Sequence, residues 1–267
     1  MQGRAVAFYS TLRIAALVYP RFYGWSGQAP EPPPYDAFEL RATVMTTQSN
    51  GRRVLLAGAT GLVGSMMLQA LLADAQVEQI HALSRRTLNI HHPKLQVHIV
   101  DFSHLPALPE VDEVYLALGT TIKVAGSQDA FRAVDLDANL AVARAAVAAG
   151  ARRVGLVSAV GASARSSTFY NRVKGELEDA LKALDLLTLV IAQPSLLLDK
   201  RDGLQQPPRL GERFAIPIAR LLAPLLPGKY RPVRARAVAL ALLHTVPVAL
   251  GLVVLASDEM VRLEAGR

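Results

Sequence analysis

The sequence predicts an α/β protein built on a doubly wound parallel sheet with a small carboxy-terminal cap. Three observations indicate this fold class. After residue 53, short apolar runs alternate with longer helical patterns, the runs are apolar at nearly every position, and a glycine-rich turn follows the first run. Near-continuous apolar strands are typical of a sheet that is buried on both faces. Their alternation with helices is typical of parallel strands joined by crossover helices.

The strands are predicted where β-branched and apolar residues cluster between turn signals. They fall at residues 54–57, 80–83, 96–100, 113–118, 154–158 and 187–192, with a late strand at 252–255. Helices are predicted where apolar residues recur every three to four positions. They fall at residues 62–73, 128–149, 167–184 and 233–245. This order of elements is that of a doubly wound sheet.

The amino-terminal segment has a different composition from the rest of the chain. Its apolar stretch at residues 5–19 contains Arg13 and stops at Pro20, so it is too short for a membrane span. A proline-rich stretch follows and then Met45, which leads directly into the first strand. We therefore expect residues 1–44 to be a disordered or mispredicted extension. Residues 45–267 are expected to form one domain, in which residues 194–250 cover the substrate side.

The composition excludes some chemistry. The 267 residues are 51% hydrophobic and contain no cysteine. A chain without cysteine has no disulfide, no thiolate metal site and no cysteine nucleophile, and it suits a reducing compartment. We therefore expect a cytoplasmic location, and we predict no metal site.

The net charge of +7 is compatible with an anionic ligand, a nucleic acid or a membrane surface. No nucleic-acid recognition motif is present, which disfavours that partner. The basic and apolar tail at residues 209–236 is compatible with a peripheral membrane contact, but a cap with solvated arginine heads is the favoured interpretation. We expect a small-molecule substrate and a monomer or homodimer.

The glycine-rich turn lies between the first strand and the first helix. It contains Gly58, Thr60, Gly61, Leu62, Val63 and Gly64. In this position the glycines permit a tight turn, a close approach to a pyrophosphate and close packing of helix on strand, while the helix amino-terminus faces the negative charge. The turn predicts a Rossmann-like dinucleotide-binding unit.

The second strand ends in Ser84, Arg85 and Arg86, where an NAD site usually has a carboxylate. Two guanidinium groups suit a 2′-phosphate, so the sequence predicts NADP(H) in preference to NAD(H). Ligands of such sheets lie beyond the carboxyl ends of the strands. Further cofactor contacts are therefore expected after the third and fourth strands, at Asp101, Phe102, Leu118, Gly119, Thr120 and Thr121.

The helix after the fifth strand carries the candidate catalytic residues. Tyr170 and Lys174 are four positions apart and so lie on one helix face. A nearby ammonium favours the phenolate, which makes Tyr170 a candidate general acid or base. Ser158, at the end of the fifth strand, is placed to hydrogen-bond a substrate carbonyl.

Together these motifs resemble the atypical short-chain dehydrogenases/reductases, in particular the Tat-interacting-protein branch near the NmrA-like and NAD(P)H-binding families. The similar stretches lie at residues 58–64, 118–121, 157–162, 170–176 and 193–198. The resemblance implies a Rossmann-like fold, NADP(H) binding and a catalytic triad of Ser158, Tyr170 and Lys174. It further implies that Lys174 also holds the nicotinamide ribose, and that Pro194 borders the cofactor.

Two departures from that family pattern stand out. Gln193 occupies a position where relatives commonly have arginine, and neither Asp135 nor Asn139 aligns securely with the relay asparagine of many superfamily enzymes. The sequence therefore leaves three functions open: NADPH-dependent reduction of a carbonyl, cofactor sensing with little turnover, and epimerase or dehydratase action with bound cofactor.

Overall fold

The computed structural model describes residues 51–199 and 227–266, and within them one sheet of seven parallel strands runs through the protein. The strand order is β3-β2-β1-β4-β5-β6-β7, so the chain winds outward from β1 in both directions. The strands are β1 (Arg52–Ala57), β2 (Val77–Ser84), β3 (Leu95–Ile99), β4 (Glu113–Leu116), β5 (Arg153–Val157), β6 (Thr188–Gln193) and β7 (Gly251–Ala256). The doubly wound parallel sheet predicted from the sequence is confirmed.

Helices cover both faces of this sheet. In chain order they are α1 (Leu62–Ala73), α2 (Ile122–Ala125), α3 (Gln128–Arg132), α4 (Asn139–Ala148), α5 (Phe169–Lys182), α6 (Ala235–Thr245) and α7 (Ser257–Glu264). A π-helical segment (Ala133–Ala138) joins α3 to α4, and a 3₁₀ turn (Gly228–Tyr230) precedes α6. The short α2 and the terminal α7 are not predicted from the sequence.

Two apolar cores lie on the two faces of the sheet because successive strand residues point in opposite directions. Val54 and Leu56 of β1 face the core formed with α1, α6 and α7. Leu55 and Ala57 face the core formed with α3, α4 and α5. The inner positions of β1 and β4 are fully buried on both faces, which explains their near-continuous apolar sequence.

The helix predicted over residues 128–149 is interrupted by the π-helical segment. Asn139, fully buried at the start of α4, donates its side-chain amide to the carbonyl oxygens of Leu118, Val134 and Asp135, each at 3.2 Å. These bonds tie the π-helical segment to the turn after β4. The interruption has a consequence for the site, because Asp135 lies within it.

The region expected to form a substrate cap has two different parts among the described residues. Pro194 to Leu197 continue from β6 at the carboxyl edge of the sheet, whereas α6 packs into the core beside α1. Residues 200–226, which include the basic Arg209 and Arg213, lie outside the described residues, as does the predicted extension at 1–44. In the part of the chain that the structure describes, no helix has the length and apolar character needed to cross a membrane.

Candidate functional site

A cleft of about 210 Å³ opens at the carboxyl edge of the sheet, where β1, β4, β5 and β6 end. It brings together most of the residues that the sequence singled out for the cofactor and the chemistry. These are Gly61, Leu62, Val63, Leu118, Gly119, Thr120, Ser158, Tyr170, Lys174 and Pro194. In a doubly wound sheet this edge is where ligands bind.

The glycine turn is shaped by close packing of the backbone. Gly58 has a φ of +98°, and a side chain there would collide with the carbonyl of Ala117 after β4. A side chain at Gly64 would collide with the carbonyl of Gly58, so α1 approaches the turn closely. Gly61 caps α1 without a side-chain bond, and Leu62 and Val63 of its first turn line the cleft. The free N–H groups of this helix end form a cradle that fits a pyrophosphate.

The turn after β4 is held in place by a hydrogen bond to a buried carboxylate. The backbone N–H of Thr120 donates to Asp135 Oδ2 at 2.8 Å, which ties the turn to the π-helical segment. Thr121 accepts from the N–H of Val124 and so caps α2, and it does not line the cleft. Leu118, Gly119 and Thr120 of this turn thus face a ligand in the cleft, whereas Thr121 does not.

Lys174 is buried, with 5% of its side chain exposed, and pairs with Asp135 at 2.7 Å between Nζ and Oδ1. Burial lowers the pKa of Lys174, but attraction to Asp135, with smaller contributions from Tyr170 and Glu178, raises it above the ordinary value overall. The ammonium is therefore charged at neutral pH. Asp135 is itself 1% exposed, so the pair is a buried one at the floor of the cleft.

Tyr170 lies one helical turn before Lys174 on α5 and remains 39% exposed. Its ring packs against Phe131, with 5.6 Å between the ring centroids. Within residues 51–199 and 227–266 the Tyr170 hydroxyl has no hydrogen-bond partner, and the residue lines the cleft. This hydroxyl is the most accessible proton donor of the three predicted catalytic groups.

Ser158 is 5% exposed, and its hydroxyl forms a hydrogen bond with a residue that does not line the cleft. Ser158 Oγ donates to Glu178 Oε1 at 2.5 Å, and the amide of Gln193 donates to both Glu178 oxygens at 2.9 and 3.1 Å. At the position where relatives commonly have arginine, Gln193 therefore binds a buried carboxylate. The expected bond from the Ser158 hydroxyl to a substrate carbonyl requires Ser158 to release Glu178.

The residues predicted to select NADP(H) lie at the same edge of the sheet but outside the cleft lining. Ser84 accepts from the backbone N–H of Arg86, while the side chains of Arg85 and Arg86 are exposed and have no ion pair among the described residues. Asp101 accepts from the backbone N–H and the hydroxyl of Ser103, which lowers the pKa of Asp101. Phe102 packs partly against the core. The cofactor contacts of these residues stay predictions.

Two members of the site were missed by sequence reasoning in these roles. Asp135 does not align securely with the relay position of related enzymes, and no sequence motif includes Glu178. Glu178 follows Lys174 by four positions and so lies on the same helix face, which is the one sequence signal that points to it. Both carboxylates are buried, which is unusual for such groups unless they are paired.

The fold and the cleft define a dinucleotide-binding protein of the doubly wound class. A family model described as NAD(P)H-binding matches residues 58–215. The chain belongs to this NAD(P)H-binding family.

Similar curated proteins come from fungi. "Protein fmp52, mitochondrial" of Emericella nidulans is 32% identical over 185 residues, which cover 66% of this chain and 79% of the relative. "Protein FMP52-1, mitochondrial" of Scheffersomyces stipitis is 35% identical over 151 residues, covering 54% of this chain and 67% of the relative.

Solved structures share the fold at low sequence identity. MoeE5 in complex with UDP-glucuronic acid and NAD has a TM-score of 0.59 at 19% identity, over 80% of this chain and 81% of that one. UDP-N-acetylglucosamine 4-epimerase from Methanobrevibacter ruminantium has a TM-score of 0.58 at 16% identity, over 77% and 76% of the two chains.

The expectation of a cytoplasmic location is wrong, because the similar curated proteins are named as mitochondrial. The physical basis of that expectation was the absence of cysteine. A chain without thiols cannot form disulfides in any compartment, so this absence does not distinguish the cytosol from an organelle.

Proposed function

We propose that this protein is an NADP(H)-dependent oxidoreductase that reduces a carbonyl group, with Tyr170 as the proton donor. The observation that carries the proposal is the arrangement at the cleft. The Tyr170 hydroxyl has no hydrogen-bond partner among the described residues. It lies one helical turn from the buried, charged Lys174, beside a helix end suited to a pyrophosphate.

The cofactor is held by the chain in three places. The first turn of α1 binds the pyrophosphate, Lys174 holds the nicotinamide ribose, and Arg85 and Arg86 receive the 2′-phosphate. Gly119 and Pro194 line the same cleft, where they would border the nicotinamide. When bound, the reduced nicotinamide supplies the hydride for the substrate carbon.

Tyr170 supplies the proton. Its hydroxyl donates to the carbonyl oxygen, and the proton moves to that oxygen as negative charge develops there. The phenolate left behind is stabilised by the ammonium of Lys174, whose electrostatic interaction with Tyr170 is attractive. Asp135 neutralises part of this ammonium charge, so it moderates the effect of Lys174 on Tyr170.

Replacing Tyr170 by phenylalanine tests the proposal. Tyr170→Phe removes only the hydroxyl, which has no partner in the described structure, so the fold and the cofactor affinity should be unchanged. We expect the turnover number to fall by roughly 10²- to 10⁴-fold, the usual contribution of a general acid. A Tyr170→Phe variant that reduces carbonyl substrates at the wild-type rate would exclude Tyr170 as the donor.

The cofactor preference has its own test. Titration with NADPH and NADH should show tighter binding of NADPH. Arg85→Ala should weaken NADPH by about tenfold, the size of one charge-assisted hydrogen bond, and leave NADH unchanged. Arg144→Ala is the matched control, because Arg144 is an exposed arginine in α4. Equal affinities for the two cofactors in the wild type would contradict the role given to Arg85 and Arg86.

A cofactor-sensing protein with little turnover is the second candidate function. The observation in its favour is that the Ser158 hydroxyl donates to Glu178 and not into the cleft. Tight NADPH binding without reduction of a broad carbonyl panel would support sensing over catalysis.

A further inference from the structure

Glu178 is a buried carboxylate that the proposed reaction does not use. It lies on α5 one turn beyond Lys174 and is 4% exposed. It does not line the cleft, whereas its hydrogen-bond partner Ser158 does. Glu178 can therefore influence a ligand in the cleft through Ser158.

The hydrogen bonds around Glu178 set the direction of the Ser158 proton. Both Glu178 oxygens accept from the amide of Gln193, and Oε1 also accepts from Ser158. The single hydrogen of Ser158 is therefore bound to Glu178, and Ser158 has only lone pairs left for the cleft.

We propose that Glu178 is a positioning residue that makes Ser158 a hydrogen-bond acceptor in the cleft, and that the substrate is an α-hydroxy ketone or α-hydroxy aldehyde. The hydroxyl next to the carbonyl donates to Ser158 Oγ, while the carbonyl oxygen accepts from Tyr170. This inference rests on the proposed reductase function, because it specifies the substrate of the same cleft.

The proposed reductase reaction supplies the hydride and the proton that the chemical step needs. The carbonyl π bond breaks, its carbon gains a hydride from the reduced nicotinamide, and its oxygen gains the Tyr170 proton. The product is a vicinal diol, and the nicotinamide is oxidised by two electrons. The hydroxyl bound to Ser158 orients the substrate and is not consumed.

A simple ketone would bind less well in this arrangement. It offers no hydrogen to Ser158, so the Ser158 lone pairs would lose water on binding and gain no partner. The difference corresponds to one neutral hydrogen bond, which is about tenfold in kcat/KM.

The experiment compares ketones that differ by one hydroxyl. One pair is acetone and hydroxyacetone, and the other is acetophenone and α-hydroxyacetophenone. The kcat/KM of the wild type is measured for each ketone with NADPH in excess. We expect the hydroxylated member of each pair to be preferred by about tenfold. The ratio of the two kcat/KM values in each pair is divided by the ratio of the rates at which borohydride reduces the same two ketones, which corrects for their intrinsic reactivity.

Two variants test the route through Glu178. Glu178→Gln supplies an amide that can donate to Ser158 Oγ, which frees the Ser158 hydrogen for the cleft, so the corrected preference should fall to about one. Ser158→Ala removes a single oxygen atom and should abolish the preference even if Glu178→Gln does not fold. Glu176→Gln is the matched control, because Glu176 lies on the same helix but pairs with Arg132. Its preference should equal that of the wild type.

The outcomes separate this inference from the function on which it rests. Turnover of both members of a pair without preference overturns the α-hydroxy substrate and leaves the reductase function intact. A preference that survives in Ser158→Ala overturns the route through Glu178. If NADPH binds and no member of the panel is reduced, the reductase function fails and this inference fails with it.

Discussion

The two edges of the parallel sheet both contain buried carboxylates, but these groups are used differently. At the amino edge, Glu113 in β4 accepts from Arg52 at 2.8 Å and from the hydroxyl of Tyr115 at 3.0 Å. At the carboxyl edge, Asp135 binds Lys174 and Glu178 binds Ser158, and both of these partners line the cleft. A buried carboxylate thus serves stability where its partners are enclosed, and serves a site where its partners face a ligand.

An ion-pair network connects the elements at the amino edge of the sheet. Arg52 contacts Asp74 as well as Glu113, and Arg53 pairs with Asp112 through its side chain and its backbone N–H. Burial raises the pKa of Glu113 despite the opposing effect of Arg52. These contacts join β1, β4 and the end of α1, so their expected function is to fix the register of the central strands.

The largest expected effect on stability is at the carboxyl edge. Asp135→Asn leaves the Lys174 ammonium buried without its counter-ion, which should lower the free energy of unfolding by about 3 kcal/mol. Urea denaturation measures this change. Asp137→Asn is the control, because Asp137 is an exposed residue of the same π-helical segment and should leave the stability unchanged. A fully stable Asp135→Asn variant would show that Asp135 is not needed to hold Lys174.

The amino edge should respond with a smaller loss and no effect on the ligand. Glu113→Gln should lower the free energy of unfolding by about 2 kcal/mol, because Arg52 retains its second partner Asp74. The NADPH dissociation constant, measured by isothermal titration, should be unchanged. Glu110→Gln, at an exposed carboxylate that pairs with Arg53, should be nearly neutral. Weaker NADPH binding in Glu113→Gln would remove the functional distinction between the two edges.

The smallest effect is expected from a histidine pair between two strands at the side of the sheet. His81 Nδ1 lies 2.9 Å from His98 Nε2 between β2 and β3. Burial, followed by repulsion from His98 and Arg53, lowers the pKa of His81. Below about pH 6.5 the unfolded chain binds a proton that the folded His81 resists, so the free energy of unfolding should fall with acidification.

Unfolding at about pH 8 and about pH 5.5 would measure this dependence. His81→Gln keeps a polar side chain but cannot titrate, so it should flatten the slope, whereas His244→Gln at the exposed end of α6 should not. An unchanged slope in His81→Gln would place the dependence on other groups.

The sequence predicts most of the sheet correctly because the local residue patterns favour the same strands that the tertiary fold contains. The apolar runs predicted all seven strands to within a few residues, and α1 begins at Leu62 as its glycine turn predicts. The helical stretch predicted over residues 128–149 is confirmed over residues 128–148, but periodicity does not reveal the widened turn within it. The terminal α7 is not among the predicted helices, although Asp258 and Glu259 give its first turn the acidic residues typical of a helix start. Glu259 also accepts from the backbone N–H of Ala256 and so caps the helix.

By itself the sequence determined the parallel doubly wound sheet, the glycine turn and the residues that converge on the carboxyl edge, because each of these depends on patterns within a few residues. Only the tertiary structure decided the partners of those residues. Asp135 reaches Lys174 from a different helix, and Gln193 reaches Glu178 from a neighbouring strand. Such pairs form because buried charges require partners, and the fold decides which distant residues lie close enough to provide them.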